Sequence, residues 1–119
     1  MKVNKIKIDD NLIKQNSRTF IIAEIGQTHE GSLGLAYKLI DAAADCNADA
    51  VKFQMHIASE ESTLDEKFRI KFSFEDKTRY DYWKRMEFTD EQWKGLFLHA
   101  NKRGITFLCS AFSIKSVEV

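Results

Sequence analysis

Four polar residues interrupt short apolar runs, and their types are those that bind or transform small molecules: Glu24, Lys52, Gln54 and Ser110. A charge on a buried strand costs free energy unless it meets a partner or a ligand. A lysine beside a hydroxyl group can hold an anion, and a nearby carboxylate can exchange protons or hold a metal-bound water. These residues are therefore candidates for a binding or catalytic site.

A structural interpretation of the same residues is also open. Glu24 and Lys52 can form an ion pair between adjacent strands, while Gln54 and Ser110 hydrogen-bond to backbone groups. Residue types alone do not separate this interpretation from a site.

The apolar runs predict three β-strands, over 19–26, 50–56 and 105–112. The first run is nearly continuous and rich in isoleucine, which is typical of a strand buried on both faces of a parallel sheet. Because successive side chains alternate, each strand has an apolar face and a face that becomes polar toward its carboxyl end. Ligands of parallel α/β folds bind at that end. Besides the four candidates, the polar-ended face contains Phe20, Ile22, Ala50, His56, Thr106, Leu108 and Phe112.

Helices are predicted between these strands. Ser32 is a suitable N-cap for a helix that stops near Asn47. Thr89 and Gln92 match a capping box, which predicts a second helix that ends before Gly104. The expected apolar faces contain Leu35, Leu39, Ala42, Ala43 and Cys46 on the first helix, and Trp93, Leu96, Phe97 and Ala100 on the second.

Strands and helices alternate along the chain, so the sequence predicts an α/β fold with a parallel sheet and right-handed crossovers. Residues 57–88 have no clear period, and we expect a long loop with one or two short helices there. Ser113 resembles the cap of a further helix. Before the first strand, residues 2–14 predict a β-hairpin with Asp10 and Asn11 near its turn.

Composition excludes several classes of protein. The 119 residues include 18 basic and 18 acidic side chains, so the formal net charge is zero and nucleic acid is not an expected partner. No apolar run approaches the roughly 18 residues of a membrane helix and no signal-peptide core begins the chain, which predicts a cytoplasmic protein without a membrane partner.

Cys46 and Cys109 lie in apolar settings and are expected to be reduced core residues.

The histidines predict a ligand contact but no complete metal site. His29 follows Glu24 in a turn beyond the first strand, where we expect it to contact substrate. His56 fits either a site wall or a surface loop. Because the three histidines lack metal-ligand spacing, no metal site is expected wholly within the chain.

Several segments resemble the sialic acid synthase family, whose members join phosphoenolpyruvate to an N-acylated amino sugar. The similarity lies in the AEIG strand at 23–26, in His29 with Gly31, in ADAVKFQ at 48–54 and in FLCSAF at 107–112. It extends in order through most of 19–119.

The resemblance implies the first three βα units of a (β/α)8 TIM barrel, preceded by an N-terminal hairpin. It divides the chain into a hairpin at 1–18 and an incomplete synthase barrel at 19–119. In the family, a small antifreeze-like domain follows the barrel and completes the site of a dimer partner. A homodimer is therefore expected at full length.

The resemblance also implies a reaction and its cofactor. C3 of phosphoenolpyruvate attacks the aldehyde of the open-chain sugar, water adds at C2, and phosphate leaves by C–O cleavage. Mn or Mg polarises the aldehyde. Its ligands are expected outside this chain, and the 119 residues alone are expected to be inactive.

Carried over by position, the resemblance assigns roles to five residues. Lys52 would bind the phosphate or carboxylate of phosphoenolpyruvate, and Ser110 would supply a hydroxyl group to it. Gln54 and His29 would bind substrate, with Gln54 facing the sugar. Glu24 would lie near the metal-bound water or the sugar, so Glu24 and Lys52 are the expected catalytic residues.

Two departures from the family pattern affect these expectations. The family's Ser-Thr-Pro is Cys109, Ser110 and Ala111 here, which keeps the hydroxyl group but removes a backbone restraint. Glu30 adds an acid to a turn that is often neutral in the family, so the N-acetylmannosamine type of acceptor competes with legionaminic or pseudaminic acid precursors. The alternative to an enzyme is a non-catalytic fragment or interaction domain that keeps only part of the barrel.

Overall fold

A computed structural model describes residues 4–119 and contains the predicted alternation of strands and helices. A strand pair precedes a second sheet whose strands are joined by helical connections. The elements in chain order are β1 (Lys5–Ile8), β2 (Asn11–Lys14), β3 (Ile22–Gly26), α1 (Leu33–Asp45), β4 (Ala50–Met55), α2 (Ala58–Glu61), α3 (Arg79–Met86), α4 (Asp90–Lys102), β5 (Thr106–Ala111) and α5 (Ile114–Glu118).

The second sheet has the order β3-β4-β5 and is parallel throughout, as predicted. Its register is regular between β4 and β5. Between β3 and β4 it shifts between Glu24 and Gly26, so that Ile25 is an extra residue in β3. The mixed α/β fold is thus confirmed, while the eight-stranded barrel stays a prediction.

The amino ends of all three strands of this sheet meet at Asp49. Its carboxylate accepts the backbone N–H of Ile21 at 2.7 Å and hydrogen bonds from Arg18, which hold the pKa of Asp49 below its ordinary value. Its backbone N–H donates to the carbonyl of Ile21 at 2.8 Å, and its carbonyl accepts from Thr106 N–H at 3.0 Å. One residue therefore sets the starting point of every strand in the sheet.

The core lies between one face of this sheet and the helices α1 and α4. Val51, Phe53 and Met55 point into it from β4, as alternation predicts, and Phe53 packs edge-to-face on Trp93. The predicted face of α1 is confirmed in part: Ala43 is buried and Leu39 packs against the core, but Leu35 is 40% exposed. The residues of α1 that are buried are Ala36, Ile40 and Ala43.

The predicted helix ends are confirmed. Ser32 accepts from the N–H of Leu35, and Asn47 has the left-handed φ of 58° that ends such a helix. Thr89 and Gln92 form the capping box of α4, and Gly104 beyond its end has a φ of 71°. The buried residues of α4 are Trp93, Leu96 and Ala100, whereas Phe97 of the predicted face is 45% exposed. Ser113 caps α5 with Ser116.

The N-terminal hairpin is confirmed where the structure describes it, with β1 and β2 antiparallel and joined by a turn at Asp9 and Asp10. The part of the predicted hairpin before Asn4 lies outside the described residues. Among residues 4–119, none of the helices has the length and apolar character needed to cross a membrane.

The long excursion between β4 and α4 contains the short helices α2 and α3, as expected. Within the excursion, Arg85 of α3 joins the helix to the loop before it, because it donates to both carboxylate oxygens of the buried Asp76 at 2.8 and 3.1 Å. Arg85 also donates to the carbonyl of Glu30 at 3.2 Å. Gly31 follows with a φ of 77°, and a Cβ added there would lie 2.1 Å from the Arg85 carbonyl oxygen. Helix α3 and the loop after β3 are thus in direct backbone contact.

The cysteine prediction was half right. Cys46 and Cys109 are free thiols, but both are exposed, whereas the sequence predicted core residues. Cys46 follows the last turn of α1, and Cys109 lies on the edge strand β5, where burial depends on an element that would have to cover it. Apolar surroundings still raise the pKa of the Cys109 thiol to about 11.

His29 is buried in the core, with no exposed surface, against Phe88 at 4.6 Å and Phe53 at 6.1 Å between ring centroids. Its Nδ1 accepts the N–H of Gly31 at 3.1 Å, so the ring proton is on Nε2, which has no hydrogen-bond partner. Desolvation lowers the pKa of His29 from 6.5 to about 4. The folded chain therefore holds this ring neutral.

Removing the carboxylate of Asp49 should destabilise the fold. Asp49→Ala leaves the Ile21 N–H without its acceptor, and we expect the free energy of unfolding to fall by about 2 kcal/mol in urea titrations. Asp49→Asn keeps one carbonyl oxygen and should lose less. Arg18→Ala, at an exposed partner, is the control, and equal losses in Arg18→Ala and Asp49→Ala would contradict a central role for Asp49.

Burial of His29 predicts that stability falls in mild acid. Since its pKa is lower in the folded state, the unfolded chain binds the proton first, and the stability present above pH 6.5 is lost as pH falls toward about 4. From about pH 7 to about pH 5 the loss should be about 2 kcal/mol in urea unfolding. His29→Gln should remove this dependence, while His99→Gln should retain it. A flat profile for the unsubstituted chain would refute the assignment.

Candidate functional site

The predicted polar residues of β3 and β4 meet on the sheet face opposite the core. Glu24 and Lys52 are register partners, and their side chains form a salt bridge with 2.9 Å between Oε2 and Nζ. The Glu24 side chain is 47% exposed and that of Lys52 is 36% exposed. The ion pair of the structural interpretation thus exists, and it is open enough for a ligand to reach.

Gln54 and Ser110 form the next pair toward the carboxyl ends of β4 and β5. Both are half-buried, and the backbone carbonyl of Gln54 accepts from Gln27 Nε2 at 3.0 Å. Gly26 lies between the two pairs, since a Cβ added there would be 3.6 Å from Glu24 Oε1 and 3.9 Å from Gln54 Cδ. Four of the predicted site residues therefore share one face. We call Glu24, Lys52, Gln54 and Ser110 the polar cluster.

The polar cluster offers balanced charge with many hydrogen-bonding groups. Glu24 neutralises Lys52, while the amide of Gln54 and the hydroxyl of Ser110 both donate and accept. Such a face suits the hydroxyl groups of a small polar molecule. An anion would have to share Lys52 with Glu24 or separate the pair, because the cation is already compensated.

An aromatic stack lies directly beyond the polar cluster. His56 is 8% exposed and is stacked between Trp83 at 3.7 Å and Phe112 at 4.1 Å. Its Nδ1 lies 2.7 Å from Glu61 Oε2, and Glu61 Oε1 accepts the N–H of Ile57. Alternation places His56 and Phe112 on the polar-ended face, but the contributions of Trp83 and Glu61 were missed. Both come from the excursion, whose sequence has no period that predicts its position.

His29 is not brought to the polar cluster. It lies in the core beside Phe53, whose side chain points to the opposite side of β4 from Lys52 and Gln54. The sequence placed it in a turn past Glu24, which is correct, but the turn directs its ring inward. Its predicted contact with substrate stays a prediction.

Metal ligands do not gather at the polar cluster. Among residues 4–119, no group of three His, Cys, Asp or Glu side chains could hold a metal ion. Glu24 has the one carboxylate of the polar cluster that could bind a metal ion, and this carboxylate forms a salt bridge with Lys52. The described residues therefore do not form a coordination shell for Mn or Mg.

A large cavity lies on the opposite side of the sheet, between α4, β5 and α5. It has a volume of about 760 Å³, and its walls include Phe97, Phe107 and Cys109. These walls are mainly apolar and contain none of the polar cluster. We regard the cavity as a gap in the helix layer beside the edge strand, because the chemistry-bearing residues face away from it.

Comparisons with known proteins point to one group of enzymes. The chain is 40% identical over 105 residues to the N,N′-diacetyllegionaminic acid synthase of Campylobacter jejuni, covering 86% of this chain and 31% of that protein. It is 35% identical over 102 residues to the mouse N-acetylneuraminate-9-phosphate synthase, covering 83% and 28%. The chain thus spans about a third of the length of these relatives.

A solved structure supports the same relationship. The N-acetylneuraminic acid synthetase of Leptospira borgpetersenii, in complex with citrate, superposes with a TM-score of 0.76 at 29% identity. The match covers 98% of this chain and 37% of that one. The sequence model of the NeuB family matches residues 39–119, well over half of the chain. This chain therefore belongs to the NeuB family.

Proposed function

We propose that this chain is the N-terminal part of a synthase that condenses phosphoenolpyruvate with an N-acyl amino sugar and releases phosphate. The product would be a sialic acid or a related nonulosonate. One observation carries the proposal: Glu24, Lys52, Gln54 and Ser110 share an accessible face that runs from the middle of the parallel strands toward their carboxyl ends. Membership of the NeuB family supports this class of reaction.

Lys52 and Ser110 are suited to the anionic substrate. The ammonium group would bind the phosphate or carboxylate of phosphoenolpyruvate, and the Ser110 hydroxyl would donate to the same anion. Because Glu24 holds Lys52 at 2.9 Å before substrate binds, the ion pair keeps the lysine oriented on the sheet face. Anion binding would then weaken the pair and release the carboxylate for the second substrate.

Glu24 and Gln54 are suited to the sugar. A carboxylate accepts hydrogen bonds from hydroxyl groups, and the amide of Gln54 can both donate and accept. The bond that forms joins C3 of phosphoenolpyruvate to the sugar's aldehyde carbon. Water then adds at C2, and the C–O bond to phosphate breaks. Glu24 would lie beside the sugar and accept a proton from that water.

A Mn or Mg ion that polarises the aldehyde belongs to the proposal, with ligands outside this chain. The described residues of this chain would bind and orient the substrates, and Glu24 would also accept a proton. A homodimer, which the family resemblance implies, and a cytoplasmic location, which the sequence predicts, complete the proposal.

A legionaminic-type acceptor is the second candidate for the same reaction. The 40% identity to the legionaminic acid synthase favours it over the 35% identity to the neuraminate-9-phosphate synthase. A pseudaminic acid synthase of Campylobacter jejuni is also 35% identical over 107 residues. These relatives share the condensation and differ in the sugar that their names imply.

Phosphate release tests the proposed function. The protein at the length encoded by its gene should release phosphate from phosphoenolpyruvate when Mn and N-acetylmannosamine or a diacetamido sugar are added. The preferred sugar distinguishes the two candidates. Residues 1–119 alone should be inactive. Absence of release with every N-acyl sugar would contradict the proposal and favour a non-catalytic interaction domain.

Removal of the Lys52 ammonium should impair the anion site. Lys52→Ala in the gene-length protein should lower kcat/KM for phosphoenolpyruvate by about 100-fold or more, because one charge-assisted contact is lost at the reacting anion. Lys38→Ala, at an exposed lysine of α1, is the matched control. Steady-state kinetics with circular dichroism of each variant measures the effect, and an unchanged rate would remove Lys52 from the site.

A further inference from the structure

We propose that Phe112 is an apolar platform for the acceptor sugar, held in place by the aromatic stack and located directly above the polar cluster. This inference rests on the proposed function and deepens it. The polar cluster would bind hydroxyl groups and the anion, and the ring of Phe112 would contact the C–H face or the acyl group of the sugar.

The sheet register places the platform. The last register pair of β4 and β5 is Met55 with Ala111, so His56 and Phe112 are the next pair along. Their rings lie 4.1 Å apart and 17° from parallel, so the two side chains remain adjacent just beyond the end of the sheet. Phe112 shares a face with Ser110 at about 7 Å along the strand. A ligand on the polar cluster therefore comes within reach of the ring.

The position of the platform is fixed by His56. Trp83 covers the opposite face of the imidazole at 3.7 Å, with 14° between the ring planes. Glu61 Oε2 lies 2.7 Å from Nδ1, and its carboxylate is anchored by the Ile57 N–H at 3.0 Å. These contacts restrain the imidazole in both tilt and rotation, so the ring stacked on it is restrained as well.

The exposure of Phe112 distinguishes it from other aromatic residues. One face of its ring is stacked on His56, yet the residue remains 49% exposed. Phe74 is 95% exposed, but it lies on the excursion and has no place on the polar-ended face. The electron-rich face of an aromatic ring attracts weakly positive C–H groups, and a small number of polar groups beside an apolar wall is typical of a ligand site.

Kinetics of the gene-length protein test the platform. Phe112→Ala should raise KM for the sugar about tenfold, as expected for one lost aromatic contact, and leave KM for phosphoenolpyruvate within about twofold. Phe112→Tyr keeps the ring face and should retain the original KM. Phe74→Ala is the control for loss of an exposed phenylalanine. Circular dichroism verifies that each variant is folded.

Saturation-transfer NMR gives a readout that does not need turnover. Irradiation of aromatic protons should transfer magnetisation to the sugar's ring and acyl protons, and Phe112→Ala should weaken the transfer to the sugar protons that contact the ring. Phosphate release with an unchanged sugar KM in Phe112→Ala would overturn the platform and leave the proposed function intact. Transfer that depends on Phe112 without phosphate release with any sugar would support the platform and overturn the synthase. If neither Phe112-dependent transfer nor phosphate release is observed, both the platform and the proposed synthase function are overturned.

Discussion

The arrangement of the sheet depends on the hydrogen bonds of Asp49. This one residue bonds to the backbone at the starts of β3 and β5 and immediately precedes β4. The register is unbroken between β4 and β5, and between β3 and β4 it is unbroken from Ile22 to Glu24, so fixing the amino ends also determines which side chains meet in the polar cluster. The partnership of Glu24 with Lys52 and that of Gln54 with Ser110 therefore follow from contacts made at the other end of the sheet.

The polar cluster combines a structural role with a chemical one. Glu24 and Lys52 form the ion pair that a purely structural interpretation predicts, and partial exposure keeps its net contribution to stability small. Weak pairing is useful at a binding site, because a substrate can replace one partner at little cost. Charge balance also means that the anion affinity of this face depends on how readily the pair separates.

Local sequence patterns predicted the features that local rules govern. Alternation placed the polar cluster on one face, and capping residues located the ends of α1 and α4. The errors arose where burial depends on distant residues. An alanine-rich helix such as α1 offers two similar apolar faces, and the exposure of Cys109 depends on what covers the edge of β5. The inward turn of His29 depends on Phe88, which lies 59 positions later in the chain.

The contact between Gly31 and the backbone of Arg85 has a consequence for how this chain can vary in evolution. Any side chain at position 31 would meet the carbonyl of α3, so the loop after β3 cannot change there unless the helix moves. The same helix carries Trp83, which supports His56. Loop and helix are thus constrained to diverge as one unit. A new acceptor preference that arises through this loop would have to be accommodated by a segment about 50 residues away in sequence.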